Sequence, residues 1–183
     1  MQLGRLVLRV TVAEVFVVHG SQKVFGAFGG YGPEGTGQFF ETLGLRPGKR
    51  NALSAGITEM AGGVMLALGF ATPAAAAGLI AVMLTALRTA IWKDGVKPAT
   101  GEFEVLLAAA ALALADMGPG DLSLDAALGQ ERHGPGWALA ALGAGAAGSA
   151  IAIEAGRRQP QPPPQPHPEA TPAQAATAGA RQD

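Results

Sequence analysis

From Met60 to Leu87, and again from Gly134 to Ile153, the chain carries no charged side chain. Each run is as long as the roughly 20 residues that a helix needs to cross the hydrocarbon core of a bilayer. A water-exposed helix of that length needs a polar face, which neither run supplies. Composition points the same way. Asp, Glu, Lys and Arg make up 15% of the residues, against about a quarter in an average soluble domain, and mean hydropathy is +0.26. The net charge of −1 leaves no broad basic surface, and phosphate binding needs clustered Lys and Arg, so nucleic-acid binding is excluded. Cysteine is absent. Disulfides, thiol redox couples and thiolate metal ligands are therefore excluded, and any thiol chemistry belongs to a partner.

Five apolar segments follow one another between recognisable breakers. The first runs from about Leu3 to Phe25. Its basic start resembles a signal peptide, but Glu14 and His19 interrupt the apolar part and no small-residue cleavage pattern follows, so it is expected to be retained. The second, about Ala52 to Phe70, and the third, about Ala74 to Trp92, are separated by Thr72-Pro73. A proline there lacks the amide of a continuing helix, which predicts a tight helical hairpin. The fourth spans about Phe103 to Met117, with Glu102 and Glu104 at its mouth, where the helix dipole favours carboxylates. The fifth, Trp137 to Ile153, is mainly Ala and Gly, which insert weakly but let backbones pack closely. It either crosses the membrane or lies on it.

Between the first two segments, Thr36 reads as an N-cap, with Phe39, Phe40 and Leu43 on one apolar face closed by Gly44. A short interfacial helix fits that pattern, more simply an amphipathic anchor than a lid over a cavity. Gly118-Pro119-Gly120 before Ser123 and Asp125 reads as a turn and an N-cap. After Arg158 the chain becomes rich in Pro, Gln and Ala, a composition that buries nothing. The expected fold is an all-α polytopic membrane helix bundle of four core transmembrane helices plus a fifth. Its divisions are a core over 1–128, the fifth segment over 129–156 and a disordered tail over 157–183.

Ionisable groups in such a bundle are few, and they usually face its interior. At about 100° per residue, Arg5, Arg9, His19 and Lys23 fall on one face of the first helix and Glu14 nearly opposite. Antiparallel packing of successive helices places His19, Lys23, Glu59, Arg88, Glu102 and Glu104 in one half of the bilayer. Arg5, Arg9 and Asp116 fall in the other, with Arg9 and Asp116 expected to pair structurally. Gly56 and Gly63 share the face of Glu59, so a neighbouring helix can enclose the carboxylate. Two readings of Glu59 stand: a salt-bridge staple to Lys23 or Arg88, or a proton-exchanging group acting with His19 beside a small-molecule pocket. Bis-histidine haem needs a second intramembrane histidine, and no metal cluster, phosphate loop or catalytic triad is visible.

Arg9, His19-Gly20, Lys23, Glu59-Met60-Ala61-Gly62-Gly63, Leu66-Ala67-Leu68-Gly69, Gly118-Pro119-Gly120 and Ser123-Leu124-Asp125 occur in an order and spacing that resembles the DoxX family, over about Leu6 to Leu128. That resemblance implies a small bacterial four-helix membrane protein linked to quinone or sulfur redox chemistry and oxidative stress. It implies quinone as the cofactor, and a soluble oxidoreductase beside it. Catalysis by the chain itself is not implied. The alternatives are a non-catalytic membrane anchor or assembly subunit and a carrier for a small solute.

Lys and Arg concentrate in cytoplasmic loops of membrane proteins. With five spans, Lys23, Arg46, Lys49, Arg50, Lys93, Lys97, Arg157 and Arg158 gather on one side, and Arg5, Arg9 and Arg132 on the other. The expected location is therefore the bacterial plasma membrane, with the N-terminus outside and the tail in the cytoplasm. The charge-free runs make a direct prediction: the chain sediments with membranes and stays there through alkaline carbonate washing. Recovery as a monodisperse species without detergent would contradict it.

Overall fold

The computed structural model describes residues 3–96 and 100–160. Lys97 and the tail from residue 161 onward, both part of the expectations above, lie outside those residues. Within them the chain is all-α, with seven helices and no strand. They are α1 (Leu3–Phe25), α2 (Gly32–Thr42), α3 (Gly48–Leu68), α4 (Thr72–Ala86), α5 (Glu102–Met117), α6 (Leu124–Ala127) and α7 (Pro135–Arg157). α4 runs on without a break into a π-helical turn, Leu87–Ile91. Two rods, Thr72–Ile91 and Pro135–Arg157, are long and apolar enough to cross a membrane. α1, α3 and α5 are shorter in apolar length or carry more charge, yet they too expose large apolar side chains, among them Val7, Val10, Ile57, Val64 and Leu106.

Glycines decide which helices touch. A Cβ at Gly20 of α1 would stand 2.6 Å from the Gly56 carbonyl of α3, and one at Gly63 of α3 would stand 2.9 Å from the Ala13 carbonyl. Only hydrogen fits at these crossings, so α1 and α3 meet backbone to backbone. A Cβ at Gly145 of α7 would come within 2.7 Å of the Ile80 side chain of α4, and the Thr85 and Ser149 hydroxyl oxygens lie 3.1 Å apart across the same seam. The core lies between these pairs, around Phe16, Leu66, Leu79, Ile80 and Leu114.

The α3–α4 hairpin forms where Thr72-Pro73 predicts it. Gly69 ends α3 in the left-handed region, and the Phe70 amide returns to the Met65 carbonyl at 2.8 Å. Ala71 follows at φ 45°, a conformation that costs a non-glycine residue energy. Asp125 holds it there. Its buried carboxylate accepts from the amides of Ala71 (2.9 Å) and Thr72 (3.3 Å) and from the Thr72 hydroxyl, and its own amide donates to the Gly69 carbonyl at 3.0 Å. Ser123 caps α6 as expected, accepting from the Ala126 amide at 3.1 Å.

α2 departs from expectation at its start. It begins at Gly32, with Pro33 in the first turn, rather than behind a Thr36 cap. A proline that ends one helix can open the next, because the amide it lacks has no intrahelical partner there. α2 is tied to α3 by Glu34 with Lys49 and by the Gly48 amide, which donates to Glu41 Oε1 at 2.6 Å. Asp125→Ala should lower unfolding stability by about 1–3 kcal/mol, since it removes an N-terminal acceptor from α4 and leaves buried amides unpaired. Detergent-phase thermal unfolding measures this, with Asp125→Asn intermediate.

Candidate functional site

The α1–α3 crossing at Gly20 and Gly56 sets Lys23 beside Glu59. Lys23 Nζ lies 3.0 Å from Glu59 Oε1 and 2.7 Å from Oε2, and also donates to the His19 carbonyl at 3.3 Å. The Glu59 side chain is 2% exposed and that of Lys23 20%. Of the two staples expected for Glu59, the partner is Lys23 and not Arg88, which is exposed. Removing a carboxylate this deeply from water costs several kcal/mol unless a cation and hydrogen bonds compensate, and Lys23 provides both.

The pair stands at the edge of a cavity of about 620 Å³. His19, Lys23, Glu59 and Glu104 line it, while Arg88 and Glu102 do not. The cavity therefore unites four of the six charged or titratable residues expected in one half of the bundle. Arg88 and Glu102 are turned outward because each lies on the exposed side of its own helix. Most of the remaining wall is apolar: Phe16 from α1, Phe39 and Phe40 from α2 with Leu43 just beyond it, Val82 and Met83 from α4, Phe103 and Leu107 from α5. α2 is thus a wall of the cavity. Volume and lining fall within the range of small-molecule sites.

His19 is fixed by its neighbours. Its Nδ1 lies 2.8 Å from the Val15 carbonyl, and its ring tilts against Phe103 with centroids 5.7 Å apart. A carbonyl only accepts, so Nδ1 carries the proton in the neutral ring and Nε2 keeps its lone pair. Thr85 and Thr89, also in the wall, donate back to Ala81 (2.7 Å) and Thr85 (2.8 Å), and Thr58 donates to Ser54 (2.8 Å). The π turn puts Thr89, Ala90 and Ile91 on the cavity together. The contributions of Gly148 and Ala152 from α7 were not foreseen. Their only signal was the run of small residues in that segment.

At the other end, the expected Arg9–Asp116 pair is not formed. Arg9 is buried and donates to the carbonyls of Pro119 and, at 2.6 Å, Leu122, while Arg5 donates to the Met117 carbonyl at 2.7 Å. The end of α5 offers orphan carbonyls and the negative end of its dipole, which satisfies cations without a carboxylate. Asp116 faces outward. Glu14, opposite the basic stripe, is exposed. Among the described residues no group of His, Asp and Glu is arranged to hold a metal ion.

Lys23→Met should destabilise the bundle by about 3 kcal/mol or more, because it strands a buried carboxylate. The double variant Lys23→Met with Glu59→Leu should recover most of that loss. A double-mutant cycle in detergent-phase unfolding checks both, and additive effects would mean that the pair contributes no coupling.

No curated protein and no solved structure matches the chain. The DoxX family model matches residues 4–92, the stretch that forms α1 to α4 and supplies His19, Lys23 and Glu59. Gly118 to Asp125, which clasp α1 and the head of α4, lie beyond the matched residues. Residues 4–92 thus form a DoxX domain, which supports a DoxX family protein, and that family is membrane-associated.

Proposed function

We propose that the protein is a multi-pass membrane component of a redox or oxidative-stress system that holds a quinone in the cavity between α1, α2, α3, α4, α5 and α7. The observation that carries this reading is the cavity itself: about 620 Å³, walled by Phe16, Phe39, Phe40 and Phe103, with His19 and the Lys23–Glu59 pair at one edge. An aromatic ring with an apolar tail fits such a wall, with its polar end set at the His19 edge. When bound, a quinone supplies two-electron, two-proton redox capacity, and a soluble oxidoreductase would exchange electrons with it. The chain's part is to hold the ring, exclude water with the phenylalanines and present His19. Large apolar side chains exposed on α1, α3, α5 and α7, together with the apolar length of Thr72–Ile91, support five spans. The charge bias supports an outside N-terminus, which turns the cavity end toward the cytoplasm.

Protein purified in mild detergent should carry extractable quinone, read by chromatography of an organic extract. Ala152→Phe, which fills the cavity from α7, should strip that quinone with little change in thermal unfolding. Co-purification of a soluble enzyme with no quinone would favour a non-catalytic anchor instead, and solute uptake into proteoliposomes a carrier. Orientation is read separately, with single cysteines at Thr36, Ala99 and Ala176 and an impermeant maleimide on intact cells. All three should stay unlabelled. Labelling at Thr36 and Ala99 would reverse the bundle, and labelling at Ala176 alone would remove the fifth crossing.

A further inference from the structure

Near His19 the cavity offers hydrogen-bond acceptors and almost no donors. The Lys23 ammonium is committed to the Glu59 carboxylate and the His19 carbonyl. The hydroxyls of Thr58, Thr85 and Thr89 are all donated to carbonyls one turn back along their own helices. Two further donors in the wall, Asn51 and Ser54, belong to the first two turns of α3, away from Glu59, and Asn51 already donates to the Pro47 carbonyl at 3.0 Å. Against these stands His19. Its Nδ1–H is used by Val15, its Nε2 lone pair makes no hydrogen bond among the described residues, and the Glu104 carboxylate in the same wall makes none either.

A ligand carbonyl placed here would lose its water and meet no free donor, whereas a ligand hydroxyl would meet the Nε2 lone pair that the Nδ1–H tautomer of His19 leaves open. We infer that the cavity selects an apolar aromatic molecule bearing a ring hydroxyl, the reduced rather than the oxidised form of a quinone-like ligand, with His19 Nε2 accepting the hydroxyl hydrogen. This rests on the small-molecule reading of the cavity given above. A neutral donor is favoured over an ammonium because the buried carboxylate of this wall, Glu59, already has its cation, and the surrounding phenylalanine, methionine and leucine give a second charge little solvation.

Binding is read by intrinsic fluorescence quenching of the purified full-length protein in detergent, under reducing or oxidising conditions. The probes are a decyl-substituted benzoquinol, the matching benzoquinone and decylamine. The quinol should bind about tenfold more tightly than the quinone, the ratio that one additional hydrogen bond supplies. His19→Phe, which keeps the aromatic contact and removes Nε2, should erase that ratio by weakening the quinol alone. His19→Gln, which retains an acceptor, should keep part of it, and thermal unfolding of each variant reports that the bundle is intact. Equal affinity for quinol and quinone, or a ratio that survives His19→Phe, would overturn the inference and leave the cavity's role as a quinone site standing. Decylamine binding as tightly as the quinol would overturn it in favour of an ammonium site. Failure of every probe to bind would overturn the small-molecule reading along with it.

Discussion

A carboxylate 2% exposed within an apolar helix is the constraint around which the rest of this bundle is arranged. Glu59 is tolerable there only with a cation in contact, and the cation has to come from another helix. Lys23 reaches it because α1 and α3 approach backbone to backbone at Gly20 and Gly56. The glycines, the ion pair and the crossing are one device. Widening any part leaves a buried charge unmet, so the stretch of α1 from Ala13 to Lys23 and the facing stretch of α3 are bound to a single relative placement. The cavity inherits its polar edge from that placement.

The two ends of α1 solve the same electrostatic problem by different means. Toward its C-terminus a lysine neutralises a glutamate. Toward its N-terminus Arg5 and Arg9 meet carbonyls at the end of α5 and in the turn that follows. Peptide dipoles in fixed positions solvate a guanidinium without a second ionised side chain. The same turn carries Asp125 across to the head of α4, so three helices are joined through main-chain groups at that end. One end of the molecule is therefore a clasp of backbone atoms, and the other is a chamber.

Much of this was legible in the residues. The helices fall close to the apolar segments, the hairpin sits at Thr72-Pro73, and Glu59 among its glycines announces a close neighbour. Spacing on an ideal helix correctly separates His19 and Lys23 from Glu14, because side-chain direction along a single helix is set by geometry alone. What spacing does not carry is the rotation of one helix against another. Arg88, Glu102 and Glu104 all had suitable depth, and only Glu104 turns inward. Asp116 had suitable depth for Arg9 and was displaced by carbonyls, which no residue pattern advertises. Asp125 looked like part of a local turn, whereas its role is to hold a strained Ala71 far away in sequence.

α7 closes the cavity with Gly148 and Ala152, and its end packs on the loop between α2 and α3, where a Cβ at Gly156 would lie 2.8 Å from the Gly44 carbonyl. It is also the last helix of the described chain to be synthesised. Until it is in place, the side of α4 that bears Ala77, Ala81 and Thr85 is uncovered, and the chamber has no far wall. The enclosed chamber therefore arrives late in biogenesis, as the closing act of assembly, and a nascent chain holding only the matched family domain would present the ion pair without the room beside it.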